Sequence, residues 1–229
     1  MKKQLTVSMC LVISAILTDG FTLGASANSV TALNRIQPTI QPTNIATTTP
    51  DLPKAVLTLQ DLPSGFKDMS GEAESLKKQL NNGNEVKAEN VFAFQKSDDK
   101  QFQLIVGFTM PMLSRIEQAS FDSSIRQQDF AQEFLKGLNE GSQGDFSNIT
   151  SSPMGENIGD ASAKWVTKGQ LNGIPMRLEM AVFRRGNLGA MLMILYLDGE
   201  SPSIAIADAA RKLDSRIVEL SPASPTQPQ

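Results

Sequence analysis

The fold is decided by residues 163–197, AKWVTKGQLNGIPMRLEMAVFRRGNLGAMLMILYL. Asn172-Gly173 lies between two runs rich in β-forming residues, and this dipeptide is the strongest short signal for a β-hairpin. Gly186-Asn187 predicts a second turn soon afterwards. Leu188–Leu197 is apolar throughout, which is typical of a central strand covered on both faces. We therefore expect three consecutive antiparallel strands here.

The middle of these three strands, Ile174–Arg185, has a two-residue period. Successive side chains of a strand point to opposite faces of the sheet, so its residues divide into two sets. The first set is apolar, whereas the second set is charged at its start and apolar at its end. The first contains Met176, Leu178, Met180 and Val182, and the second contains Arg177, Glu179, Ala181 and Phe183.

Two further strands and the first helices are expected N-terminal to this region. The runs 91–94 and 102–108 flank a charged turn and predict a hairpin. A short helix is predicted over 72–80. The period becomes helical over 113–138, and Asp122 could cap a second helix inside this range.

The segments on either side of the central strands differ in clarity. Residues 141–160 are rich in Gly, Ser and Asn and contain no clear element, so we expect either a functional loop or a short strand near 146–150. After the last strand, a helix is predicted over 203–219. Its buried stripe is formed by Ile206, Ala210, Leu213 and Ile217.

These elements predict an α+β fold, with an antiparallel sheet of five or more strands and two main helices packed against it. A single domain is expected over 54–220. Residues 28–53 are rich in Thr, Pro, Asn and Gln and predict a disordered linker. Residues 221–229, SPASPTQPQ, predict a disordered tail.

The first 27 residues have the three parts of a signal peptide. Lys2 and Lys3 precede an apolar run over 5–17, and Ala25-Ser26-Ala27 is a small-x-small cleavage site. The run is too short for a membrane-spanning helix, which needs about 20 apolar residues. Cleavage near Ala27 would export the chain to a periplasm, a lumen or the extracellular space without an integral membrane anchor. An uncleaved anchor and a cytoplasmic chain are the alternatives.

Composition excludes several kinds of chemistry. The 229 residues contain no His and one Cys, Cys10, which lies in the predicted signal peptide. The exported chain would therefore have no disulfide, no cysteine nucleophile, no zinc site of the Cys/His kind and no Ser-His-Asp triad. The net charge of -3 and the isoelectric point near 5.1 do not indicate a nucleic-acid partner. We expect no cofactor and no metal.

Partner-binding residues are predicted at two places. Arg184 and Arg185 precede the turn at Asn187, and arginine forks suit phosphate or carboxylate groups. Because adjacent residues on a strand point to opposite faces, only one of the two arginines can join a given site. The alternative for this pair is a solvated hairpin end. Asp145 and Asn148 are candidates in the long loop.

Methionines and carboxylates suggest two other activities. Met176, Met180, Met191 and Met193 could line a cavity for a small apolar ligand, or they could be core residues. Thioethers also suit Cu(I), but these methionines lie in apolar runs. A pair of carboxylates could support glycoside hydrolysis, although no pair is singled out by its spacing.

Four short motifs carry a resemblance: DLPSGF at 61–66, IGDASAKW at 158–165, VFRRGN at 182–187 and AARKLDSRI at 209–217. They resemble those of small exported bacterial domains, and the architecture is similar to PsbP-like sandwiches and to extracellular sensor domains such as that of the mycobacterial kinase PknH. The resemblance implies an α+β sandwich and an exported location, and it carries no catalytic residues.

These observations predict an exported, non-enzymatic binding, sensing or assembly module. Its expected partner is an envelope protein or a small apolar ligand. The alternatives are a carrier with a Met-lined cavity and a carboxylate-dependent hydrolase. The sequence predicts no oligomeric state.

Overall fold

The protein was obtained as a computed structural model, which describes residues 55–82, 88–98, 101–142, 144–152 and 158–220. The predicted signal peptide with Cys10, the predicted linker over 28–53 and the predicted tail over 221–229 all lie outside the described residues.

The described residues form a seven-stranded sheet in which every neighbouring pair of strands is antiparallel. The strand order is β1-β2-β3-β7-β6-β5-β4. The strands are β1 (Lys67–Asp68), β2 (Asn90–Ser97), β3 (Phe102–Pro111), β4 (Gly144–Ser152), β5 (Ala161–Leu171), β6 (Ile174–Arg185) and β7 (Leu188–Leu197).

Four α-helices and one short 3-10 turn, Leu59–Asp61, complete the described elements. The helices are α1 (Ser70–Asn82), α2 (Arg115–Ser124), α3 (Gln128–Ser142) and α4 (Ile206–Leu220). Helix α2 begins with a capping box, in which the Ser114 hydroxyl accepts from the Glu117 N–H and the Glu117 carboxylate accepts from the Ser114 N–H.

The central strands form as their local sequence predicts. Asn172 and Gly173 have φ angles of 52° and 77°, which is the left-handed conformation that a tight two-residue hairpin turn requires. Strand β7 pairs with β3 on one side and β6 on the other, and nearly all of it is buried. The predicted fully covered central strand is therefore confirmed.

The two faces of the sheet carry separate apolar cores. Residues of α1, α2 and α3 pack on one face, together with Trp165 and the four methionines of β6 and β7. Helix α4 and the segment 55–66 pack on the other face. The predicted stripe of α4 is confirmed, because Ile206, Ala210, Leu213 and Ile217 are all fully buried.

The α+β class and an antiparallel sheet of five or more strands are confirmed. The packing of two main helices is not confirmed, because four described helices cover the sheet from both sides. No helix in the described ranges is long and apolar enough to cross a membrane.

Two local predictions have clear outcomes. Of the two alternatives for 141–160, the strand is correct: β4 is an edge strand of mostly polar residues, and such a strand needs little apolar pattern. It is longer than the predicted 146–150. Two helices do form in the region predicted over 113–138, but the cap at Asp122 is wrong, because this residue lies inside α2 and the break follows Ser124.

Candidate functional site

An ion-pair network closes the sheet at the end of β6 that leads into β7. We call it the arginine network, and it joins α2, the turn before β5, β6 and α4. Its members are Asp122, Asp160, Arg184, Arg185 and Asp214.

Arg184 binds α2 on one face of the sheet. Its Nε and Nη2 donate to the two carboxylate oxygens of Asp122 at 2.7 and 2.8 Å, and its Nη1 donates to Asp160 at 3.0 Å. The hydrogen bonds from Arg184 hold the pKa of Asp122 below its usual value of 3.8. The same pairing raises the pKa of Arg184. Its side chain is only 12% exposed, so the alternative of a solvated hairpin end is wrong for this residue.

Arg185 binds α4 on the opposite face. Its Nε and Nη2 donate to Asp214 at 2.8 and 2.6 Å, and its Nη1 donates to Asp160 at 3.2 Å. Asp214 is buried and also accepts from the Gly159 N–H. The two arginines therefore point to opposite faces as expected. The prediction that only one of them can join a given site is wrong, because Asp160 lies at the rim of the sheet and pairs with both.

The four sequence motifs meet through such ion pairs. Arg216 donates from Nε and Nη2 to the two oxygens of Asp61 at 2.8 Å each, which ties α4 to the turn that precedes β1. Asp214 and Arg216 belong to one motif, Asp160 and Arg185 to two others, and Asp61 to the fourth. The motifs thus fasten α4 and the N-terminal turn onto the sheet.

A second charged surface lies at the opposite end of β6. Helix α4 packs against β6 and β7, and no helix of the described residues covers the same face of β4 and β5. We call this uncovered surface the open face. It is a groove of about 770 Å³, lined by residues of β4, by Lys164 and 166–170 of β5, and by Pro175 and Arg177 of β6.

A hydrogen-bonded chain leads from buried side chains to Lys164 at the edge of the open face. The Tyr196 hydroxyl donates to Oε1 of Glu179 at 2.6 Å, and Nζ of Lys164 lies 3.2 Å from Oε2 of the same carboxylate. Burial raises the pKa of the Tyr196 phenol, and the hydrogen bond to Glu179 raises it further. The phenol is therefore a permanent donor at ordinary pH. At the exposed rim, Lys168 pairs with Asp198 at 3.0 Å.

Arg177 lies between these pairs. It is opposite Lys168 of β5 and opposite Tyr196 of β7 in the register of the sheet. Its Nε is buried, and no hydrogen-bond partner for this atom is found in the described parts of the chain. Arg177 also makes no ion pair within 4.0 Å with any residue of those parts.

Strand β4 forms the outer wall of the open face and is held there by close backbone contacts. A Cβ at Gly169 of β5 would lie 2.2 Å from the Asp145 carbonyl oxygen, so only glycine allows this approach. On the outer edge, the Asn139 side chain of α3 accepts from the Phe146 N–H and donates to the Phe146 carbonyl, both at 2.8 Å. Asn148, with φ of 56°, lies in a β-bulge.

The five residues predicted to bind a partner lie at two separate places. Asp145 and Asn148 line the open face and are exposed. Arg184 and Arg185 belong to the arginine network, about 30 Å along β6 from Pro175 at the usual rise per residue. Asn187 lies in the turn beside that network, where its carbonyl accepts from the Met112 N–H at 2.7 Å.

The main residues of the open face were not predicted. Of these, Lys164, Lys168 and Arg177 line the groove, and the buried side chains of Glu179 and Tyr196 lie beside it. A signal for them exists in β6, whose second set of side chains is charged at its start and apolar at its end. Such a change within one set indicates that a helix covers only part of that face.

A second groove, of about 1030 Å³, lies between residues 60–63 and α4. It is larger than the open face, but its arginines are already paired, Arg216 with Asp61 and Arg211 with Asp208. Neither groove is lined by methionine. In the described ranges, no group of three or more acidic, His or Cys side chains is placed to hold a metal ion.

No family model, no curated protein and no solved structure matches this chain. The similarity to PsbP-like and PknH-type domains therefore stays a prediction.

Proposed function

We propose that the protein is an exported, non-enzymatic binding module that holds a small polar ligand on the open face. The observation that carries this proposal is the groove itself. Its volume of about 770 Å³ is within the range of small-molecule sites, about 300–1,000 Å³. Ionic and hydroxyl groups converge on it from three strands, and Arg177 brings a guanidinium without an ion-pair partner among the described residues.

The exported location rests on the signal-peptide pattern of residues 1–27. The non-enzymatic part rests on the residue inventory. The chain has no His and its one Cys lies in that segment, and the buried Glu179 carboxylate beside the groove already binds Tyr196 and Lys164. Binding of an envelope protein remains the alternative for the same surface.

The apolar-carrier alternative has less support. Met176, Met180, Met191 and Met193 are each less than 5% exposed and pack in the core beneath α1, α2 and α3. The hydrolase alternative needs two carboxylates flanking a sugar. Asp145 is the only carboxylate among the described residues that line the groove, and the nearby carboxylates of Glu179 and Asp198 are ion-paired.

A matched pair of substitutions tests the proposal. Val166→Tyr puts a bulky side chain into the open face while keeping a residue that favours strands. Val218→Tyr makes the same change on α4, where Val218 is 51% exposed. The mature chain and both variants are titrated by two-dimensional amide NMR with a fixed panel of amino acids, dicarboxylates, sugars and nucleotides.

The expected result is at least one compound whose binding shifts amides of β4, β5 and β6. Binding should be lost in Val166→Tyr and retained in Val218→Tyr. Amide spectra without ligand check that both variants are folded. The proposal is contradicted if every bound compound shifts amides elsewhere, if Val166→Tyr binds normally, or if nothing in the panel binds.

A further inference from the structure

The chemistry of Arg177 indicates what kind of ligand the open face would hold. A buried guanidinium donor is normally hydrogen-bonded, because its hydration is lost on burial and nothing else replaces it. The Nε of Arg177 has no such partner in the described chain. A bound ligand that supplies an acceptor atom would explain this unpaired donor.

The carboxylates nearest to Arg177 already form hydrogen bonds or ion pairs with other residues. Glu179 accepts from Tyr196 and pairs with Lys164, and Asp198 pairs with Lys168. Asp145, the one acid among the described residues that line the groove, is exposed on β4 and separated from β6 by the whole width of β5. The hydrogen bond from Lys168 and, more weakly, the charge of Arg177 lower the pKa of Asp198, but no carboxylate of the described residues lies within ion-pair distance of Arg177.

The surroundings of Arg177 suit an oxyanion. Lys168 is opposite Arg177 on β5, and its side chain is 60% exposed, so it can turn toward a ligand at little cost. Ser147 lies opposite Lys168 on β4, and its hydroxyl can donate to an oxyanion. A guanidinium fork with flanking ammonium and hydroxyl donors is the usual protein arrangement for carboxylate and phosphate groups.

We propose that Arg177 binds an oxyanion, the carboxylate or phosphate group of the small ligand held on the open face, with Lys168 and Ser147 as flanking donors. This inference rests on the proposed function and adds the charge of the ligand to it. Both kinds of oxyanion present the same pair of acceptor oxygens to a guanidinium, so the experiment needs separate arms for them.

The test uses the mature chain and two variants with the same loss of charge. Arg177→Gln removes the proposed fork. Arg211→Gln removes an exposed arginine of α4 outside the open face, where the pair with Asp208 is more than half exposed. Each protein is titrated with inorganic phosphate and, separately, with succinate, at constant ionic strength balanced by sodium chloride. Amide shifts and the melting temperature are recorded.

The expected result is saturable shifts in β4, β5 and β6, and an oxyanion-dependent rise in melting temperature. In Arg177→Gln the dissociation constant of the anion should rise about tenfold or more, and the rise in melting temperature should shrink accordingly. In Arg211→Gln both should stay unchanged. The anion that binds more tightly, phosphate or succinate, identifies the kind of group that is bound. The inference is overturned if Arg177→Gln responds as the parent does, if the shifts map to the arginine network, or if neither anion binds.

The two proposals fail in different ways. If panel compounds bind the open face but bind Arg177→Gln equally well, the proposed binding module stands and the proposal that Arg177 binds an oxyanion is wrong. If Val166→Tyr changes no binding at all, the open face is wrong and both proposals fail with it.

Discussion

Strand β6 carries an arginine near each of its ends, and the two ends differ in what surrounds them. At one end, Arg184 and Arg185 each make a two-pronged pair with a carboxylate, one from α2 and one from α4. At the other end, the buried Nε of Arg177 has no partner in the described chain. The first end fastens layers together, whereas the second faces a groove.

The difference comes from which elements reach each end. At the arginine network, α2 and α4 each bring an aspartate to the sheet, so both guanidinium groups form ion pairs within the protein. No helix in the described chain covers β4 and β5 on the side of Arg177. Arginine is therefore structural at one end of β6 and available for a ligand at the other.

The largest effect is expected for Asp214→Ala in the arginine network. It leaves Arg185 without its main partner and leaves the Gly159 N–H unpaired, and it should lower the free energy of unfolding by about 3 kcal/mol. Urea denaturation followed by circular dichroism measures this. Asp208→Ala, on the same helix in an exposed pair, should cost less than about 1 kcal/mol. Equal losses in the two variants would contradict a special role for the network.

A smaller effect is expected from pH at Asp122. Its folded pKa lies below the ordinary value of 3.8, so its pairing with Arg184 stabilises the fold above that value and is lost as pH falls through the lowered pKa. At pH 6 to 7 the free energy of unfolding should be about 1.5 kcal/mol higher for the parent than for Asp122→Asn. This difference should shrink steadily below about pH 4. It is measured by urea denaturation over a pH series.

The control for that series is the same substitution in an Arg184→Met background. The effect of Asp122→Asn on the free energy of unfolding should then be small and should no longer shrink in acid, because the partner that lowers the pKa is gone. A pH-dependent effect that survives in this background would mean that Arg184 is not its cause.

The smallest effect is expected for Arg177→Gln. Removing a buried donor that has no partner relieves a desolvation cost, so the free energy of unfolding should stay within about 0.5 kcal/mol of the parent or rise. Arg185→Gln is the matched change at the other end of β6 and should cost about 2 kcal/mol. A large loss of stability in Arg177→Gln, in the absence of ligand, would show that the arginine is structural and would remove the contrast between the two ends.

Local signals predicted the strands that depend on local chemistry. Asn172-Gly173 forms its turn because both residues tolerate positive φ, and β7 is central because nearly every one of its side chains is apolar or small. Strand β4 was predicted only as an alternative to a loop, because its residues are mostly polar. It is held by a glycine on β5 and by the Asn139 side chain of α3, neither of which leaves a pattern in β4 itself.

The candidate site was predicted only in part. Asp145 and Asn148 line the open face, but Arg177 was assigned to one face of a strand without further meaning. The arginines that stand out in the sequence, Arg184 and Arg185, are those that the fold pairs internally. A doubled arginine beside a glycine turn looks the same in sequence whether its partners are solvent, a ligand or two helices.

The sequence by itself determined the strands over 163–197, the buried stripe of α4 and the α+β class, because hydrophobic period and turn residues act over a few positions. The tertiary structure alone decided which arginines are neutralised. The partners of Arg184 and Arg185 lie 62 and 29 residues away along the chain, and only the packing of α2 and α4 on opposite faces brings them within reach. Where that packing stops, Arg177 keeps its charge facing the groove.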